Sequence, residues 1–131
     1  MTMLVEPVAL TGQRWVNLEP LDREHLPEID AVAADGELGA LWFTGAPKAG
    51  SAAQWVDARL TVQSPTTGLT LVVRDKGGTL IGSSSYLNVD GPNRRLEIGH
   101  TWYVAPARRT GVNAETKLLM LIHSYDELGC V

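Results

Sequence analysis

Residues Leu96 to Tyr125, LEIGHTWYVAPARRTGVNAETKLLMLIHSY, decide how the rest of this chain is read. The segment opens with strand-type residues, passes through Pro106, Arg108, Arg109 and Gly111, and becomes helical. Its apolar positions then recur at Ala114, Leu118, Leu121, Ile122, Tyr125 and, just beyond, Leu128, which predicts the buried stripe of a helix. A strand that becomes a helix through a basic, glycine-containing turn leaves free backbone N–H groups at the positive end of a helix dipole. Such a place holds anions, phosphate above all.

The turn lacks the Gly-Lys-Ser/Thr ending of a P-loop and the three glycines of a dinucleotide fold. Arg108-Arg109-Thr110-Gly111-Val112-Asn113-Ala114 reads instead as Arg-x-x-Gly-x-small, directly after the strand Glu97 to Val104. This resembles the coenzyme A signature of the GNAT superfamily of N-acyltransferases, Gln/Arg-x-x-Gly-x-Gly/Ala. Asn113 stands where that family has Gly or Ala, and Asn is the next most tolerant residue for unusual backbone angles.

Working outward, 131 residues suit a single domain, 1–131, that buries roughly two-thirds of its unfolded surface without disulfide staples. The one cysteine, Cys130, has no partner in the chain, and Glu6 and Pro7 interrupt any signal-type apolar run, so a cytoplasmic location is expected. A net charge of -4 argues against nucleic acid as the main partner. It leaves room for a local basic spot at Arg94, Arg95, Arg108 and Arg109.

Residues up to Gly12 read as a loosely held lead-in, and Arg14 to Pro20 alternates as a half-buried strand. Asp22 is an N-cap candidate with Leu21 and Leu26 stapling across it; a helix entered at Pro27 buries Leu26, Ile29, Val32 and Ala33. Gly36 to Gly50 is a loop with large apolar side chains, a length that tends to be functional. Ser51-Ala52-Ala53-Gln54 predicts a capping box, opening a helix through Trp55, Val56 and Leu60 that ends by Ser64-Pro65. Leu69 to Val73 and Leu80 to Leu87 flank Asp75-Lys76-Gly77-Gly78, a hairpin signal, and Asp90-Gly91-Pro92-Asn93 turns the chain into the strand quoted first.

The order strand, helix, helix, three antiparallel strands, helix is similar to that of GNAT enzymes through their fourth strand and third helix. The wording around Asn93 to Tyr103 and Gly111 to Lys117 resembles the bacterial branch that includes ribosomal-protein N-terminal acetyltransferases. The expected fold class is α+β, with a GNAT-like mixed, mostly antiparallel sheet flanked by helices. The family's closing strand, helix and hairpin are expected to be lacking.

The resemblance implies an acyl-CoA-dependent N-acetyltransferase that moves an acetyl group from acetyl-CoA to a primary amine such as a peptide N-terminus. The coenzyme's pyrophosphate would lie on the backbone of Arg109, Thr110, Gly111, Val112, Asn113 and Ala114, with Arg108 and Arg109 adding charge. The pantetheine arm would pair with the backbone of Thr101, Trp102, Tyr103 and Val104. Glu97 carries the family's general-base position, provided that burial raises its pKa; the alternative is a strand carboxylate paired with Arg94 or Arg95. His100 is the second catalytic candidate, expected on the opposite strand face from Glu97. Trp42 and Phe43 would wall the acceptor pocket, while Trp55 is expected in the core.

No metal is expected, since His25, His100 and His123 lack ligand spacing. Gly82-Ser83-Ser84-Ser85 lacks the second glycine of a nucleophile elbow and is expected to be a polar strand face. Cys130 is expected as a buried strand residue. An open edge at Leu96 to Val104 predicts a homodimer or completion by another chain. The competing reading is a non-catalytic acyl-CoA-binding or interaction module.

Overall fold

A computed structural model describes residues 3–34 and 45–131. Five antiparallel strands form one sheet in chain order: β1 (Leu10–Thr11), β2 (Val16–Pro20), β3 (Leu69–Asp75), β4 (Leu80–Asp90) and β5 (Arg95–Tyr103). The described sheet is thus antiparallel throughout rather than mixed. Helices α1 (Leu26–Ala34) and α2 (Ala52–Thr61) cover one face, and α3 (Val112–Ile122) covers the other.

With both faces covered, the central strand is buried on both sides, and Leu69 to Val73 is a continuous apolar run interrupted only by Thr70. Leu69, Leu71 and Val73 join Val16, Leu18, Tyr86 and Met120 under α3. Val72 and Trp102 join Ile29, Ala52 and Val56 under α1 and α2. Arg74 ties β3 to α1 by pairing with Glu28 and with Glu19 of β2.

The lead-in is more ordered than expected. Val5 is 1% exposed and its amide donates to Pro65 O at 2.8 Å, while Leu10 and Thr11 pair with Leu18 and Asn17. Asp22 caps its turn as anticipated, accepting from Glu24 N at 2.9 Å, while His25 Nδ1 accepts from Asp22 N. Ser51 is the N-cap of α2 but makes no side-chain capping bond, so the predicted capping box is not formed. Ser83, Ser84 and Ser85 are buried, each with its hydroxyl hydrogen-bonded inside the sheet layer.

The largest correction concerns α3. Leu118, Leu121, Ile122 and Tyr125, predicted as its buried stripe, are all more than 40% exposed. The face that meets the sheet is Val112, Thr116 and Met120, followed by His123 and Ser124 in a π-turn. Cys130 lies outside any strand, half-buried, with its thiol 3.6 Å from Met3 Sδ. No helix among the described residues is long and apolar enough to cross a membrane.

At that π-turn the Tyr86 hydroxyl donates to Met120 O at 2.7 Å, so at 3.0 Å it must accept from a protonated His123 Nδ1. Burial pushes the His123 imidazolium pKa down, with Glu127 opposing only in part. A neutral imidazole favoured by the fold contributes stability that is complete above the unfolded-state pKa near about 6.5 and is lost as pH falls through it. Urea midpoints should therefore fall as the pH drops below about 6.5, and His123→Asn should flatten that slope. An unaltered slope in the variant would refute the assignment.

Candidate functional site

The junction between β5 and α3 is a bent, partly unsatisfied piece of backbone. After Tyr103, residues Ala105–Ala107 make one 3-10 turn, Arg108 is extended, and Arg109 takes a left-handed φ of 61°. The first helical bond of α3 runs from Glu115 N to Gly111 O at 3.0 Å. Thr110 Oγ1 accepts from Val112 N at 3.2 Å. The amides of Gly111, Asn113 and Ala114, which precede that first helical bond, have no protein acceptor among the described residues.

Arg108 precedes these amides in the same junction. Its Nε donates to Tyr103 O at 3.0 Å, and its buried Nη2 has no partner among the described residues. An unspent guanidinium N–H and open helix-start amides in one junction are a donor set that fits a diphosphate. Arg109 is exposed. Arg94 and Arg95 lie at the far end of β5, roughly 30 Å along a nine-residue strand, so the predicted single basic spot is divided in two.

Two tertiary contacts fix this turn, and no local sequence pattern signals either. Glu115, in the first turn of α3, accepts from the backbone amides of Trp15 at 2.8 Å, Val16 at 2.9 Å and Arg14 at 3.1 Å. Burial opposes the charge on Glu115, but these amides and Lys76 outweigh it and hold the carboxyl below its ordinary pKa. Trp15 then lies against Gly111, where any Cβ would collide with the indole.

Beside the turn, Tyr103 OH donates to Asn113 Oδ1 at 2.8 Å. That bond gives the Asn113 side chain a partner at a position where the resembling motif has Gly or Ala. Lys117 Nζ donates to Thr101 Oγ1 at 2.6 Å and to Ser84 Oγ at 3.3 Å, with burial lowering the Lys117 pKa. Val104 N is spent on Ile81 O at 2.9 Å. Strand alternation turns the backbone of Tyr103 and Thr101 toward the open edge of β5, and that of Trp102 and Val104 toward β4.

The other face is set by a bulge. Ser83 pairs with Trp102 and Ser85 with Gly99, so β5 holds one residue more than β4 across this step. His100 sits in the bulge with φ 48°. Glu97, opposite Leu87, therefore shares a face with Gly99 and Trp102, and His100 lines a cavity of about 380 Å³ with that same Leu87. The expectation that His100 and Glu97 lie on opposite faces assumed unbroken alternation and is corrected.

His100 makes no hydrogen bond among the described residues, and Gly45 backs so closely onto its ring that no side chain would fit there. Burial, then the charge of Arg59, lower its pKa, so the neutral imidazole is favoured. Glu97 is exposed and unpaired among the described residues; Arg95 pairs with Asp90 at 3.0 Å instead. The burial that a general-base role asks of Glu97 is absent. Trp102 is buried in the core, with Trp55 edge-on at 5.9 Å. Trp42 and Phe43 lie outside the described residues, and among these no group of three or more His, Cys, Asp or Glu could hold a metal.

A family model described as "Acetyltransferase (GNAT) domain" matches residues 16–131. Among solved structures, a GCN5-related N-acetyltransferase from Brucella melitensis superposes with TM-score 0.79 at 25% identity, covering 99% of this chain and 61% of its own. A putative acetyltransferase from T. thermophilus gives 0.77 at 25%, covering 98% and 65%. RimL, a ribosomal L7/L12 alpha-N-protein acetyltransferase in complex with Coenzyme A, gives 0.76 at 12%, covering 94% and 71%, a likeness of fold alone. The chain thus spans about three-fifths of the first two structures, and no curated protein matches. The α+β, GNAT-like sheet with helices on both faces is the fold of this chain.

The Tyr103–Asn113 bond predicts a measurable coupling. Asn113→Ala and Tyr103→Phe should each lower stability by about 1 kcal/mol, with the double variant losing clearly less than the sum. Strictly additive losses in urea denaturation would show that the two side chains act independently.

Proposed function

Because the chain belongs to the GNAT acetyltransferase family, we propose that it carries an acetyl group from acetyl-CoA to a primary amine such as a peptide N-terminus. The observation that supports this most is the pairing of unsatisfied donors at the head of α3, the open amides of Gly111, Asn113 and Ala114, with the orphaned Arg108 Nη2. These groups hold the coenzyme's diphosphate, with Arg109, Thr110 and Val112 completing the turn. The edge-facing backbone of Thr101 and Tyr103 aligns the pantetheine arm, next to Trp102 and Val104, which face inward.

His100 takes the acceptor's proton. Its neutral imidazole, without a hydrogen-bond partner among the described residues, lines the cavity on the opposite face, so the amine arrives from that side while the thioester lies along the strand edge. The amine nitrogen bonds to the thioester carbonyl carbon, the carbon–sulfur bond breaks, and the coenzyme leaves as its thiolate, which takes a proton from water. Glu97, exposed on the same face, passes the proton to water. A reducing cytoplasm suits the free Cys130.

Acetyl-CoA should raise the unfolding temperature, and Arg108→Ala should weaken its binding about tenfold or more, the effect of losing a charge-assisted hydrogen bond. His100→Gln should keep that binding but lower amine-dependent thiol release roughly 10²-fold or more, with a smaller loss for Glu97→Gln. Wild-type activity should persist to below about pH 6.5, because the neutral imidazole survives there. No thermal shift with acetyl-CoA in the wild type would end this reading.

A second reading rests on the exposed α3 stripe. Leu118, Leu121, Ile122 and Tyr125 stand in the open beside the unpaired edge of β5, and a cavity of about 390 Å³ between them is lined by Leu96, Ile98, Leu121 and Tyr125. A second copy of this chain could cover both by antiparallel pairing of β5 with its twin, making the protein a homodimeric interaction module. Light scattering should then give twice the chain mass, and Leu121→Asp should return it to one. A monomer at high protein concentration would exclude this form.

A further inference from the structure

Among the described residues, the lining of the cavity under His100 carries a single formal charge, and that charge is positive. Among its described lining residues no Asp or Glu occurs, and Arg59, from the last turn of α2, is the one guanidinium. Arg59 is half-buried and makes no ion pair or hydrogen bond among the described residues. By contrast, Arg23 is matched to Asp57, Arg74 to Glu19 and Glu28, and Arg95 to Asp90, while Arg14, Arg94, Arg108 and Arg109 also make no ion pair among the described residues.

Around Arg59 the wall offers further donors. Gln63, which lines the cavity, has its Oε1 spent accepting from Thr70 N at 2.9 Å, while its amide N–H groups have no partner among the described residues. Asn88, in a left-handed backbone with φ 48°, makes no side-chain hydrogen bond among the described residues. A pocket of unspent donors and one cation calls for an anionic acceptor group.

The position of the cation sharpens this. A guanidinium near an imidazole that has to accept a proton opposes that proton, since like charges disfavour each other. The opposition disappears when a bound anion neutralises the guanidinium. An amine bearing its own carboxylate would thus switch off the handicap at the moment the proton must move.

We propose that Arg59 is the specificity-determining residue of this cavity, and that the acceptor amine carries a carboxylate which Arg59 holds while the amino group faces His100. The carboxylate belongs either to a free amino acid or to an acidic side chain near a peptide N-terminus. The inference rests on the acetyltransferase reading but is tested without the coenzyme.

Binding would be followed by the NMR signal of the His100 imidazole in the wild-type chain. L-alanine would be compared with L-alaninamide, and a peptide amide beginning Ser-Asp with one beginning Ser-Asn. At least one carboxylate-bearing member should bind about tenfold or more tightly than its neutral twin. The pair that discriminates identifies the source of the carboxylate. Arg59→Gln should abolish the difference, and Arg59→Lys, which keeps charge and fold, should retain part of it. Equal binding of both twins, no binding of either at millimolar concentration, or discrimination that survives in Arg59→Gln would overturn the proposal. Carboxylate-selective binding without thiol release from added acetyl-CoA would sink the acetyltransferase reading instead; thiol release without selectivity would sink only the role of Arg59.

Discussion

One additional residue in β5 governs how this molecule divides its chemistry between two faces. Between the partners of Ser85 and Ser83 the strand runs from Gly99 to Trp102, three steps against two. That excess rotates His100 into the cavity beneath α2 and leaves Thr101 and Tyr103 beneath α3. Without it, strict alternation would turn His100 away from the side of Glu97 and out of the cavity. The left-handed φ of His100 is the local cost, and strain of this kind persists only where surrounding packing holds it. Here the holding comes from Trp102, buried against Trp55, and from Gly45 against the His100 ring.

The other fixed point is Glu115. Its carboxylate gathers three successive backbone amides of the turn into β2, nearly a hundred residues earlier in the chain. The bonds clamp the head of α3 across the sheet, and the indole of Trp15 closes on Gly111 from the same side. The amides left open therefore belong to a helix start held from the sheet side by Glu115 and Trp15. Ordering them in advance removes an entropic cost that a ligand would otherwise meet on binding.

Helix α3 carries apolar residues on two sides, and only one of them meets the sheet. Val112, Thr116 and Met120 are small or flexible enough to lie close over Tyr86 and Tyr103, whereas the more hydrophobic Leu118, Leu121, Ile122 and Tyr125 face out. Periodicity reports that a stripe exists. It does not tell which of two stripes the first layer of structure covers, because that depends on where Glu115 and the Tyr86–His123 pair pin the helix. The exposed stripe beside a free strand edge is the surface on which association would act.

The sequence by itself determined the element order from Val16 onward, the hairpin at Asp75 to Gly78, the run of Leu69 to Val73 as a strand, and the basic turn that resembles a coenzyme signature. These are local matters, set by side-chain period, turn residues and the few residues around a helix start. Tertiary structure alone decided that His100 and Glu97 share a face, that Asn113 is occupied by Tyr103, that Arg59 is left unpaired among the described residues in the His100 cavity, and that α3 presents its apolar stripe outward. Each of those depends on a strand register or on a contact between residues far apart in the chain. Neither the period of a strand nor that of a helix carries information about a shift of one residue relative to its neighbour.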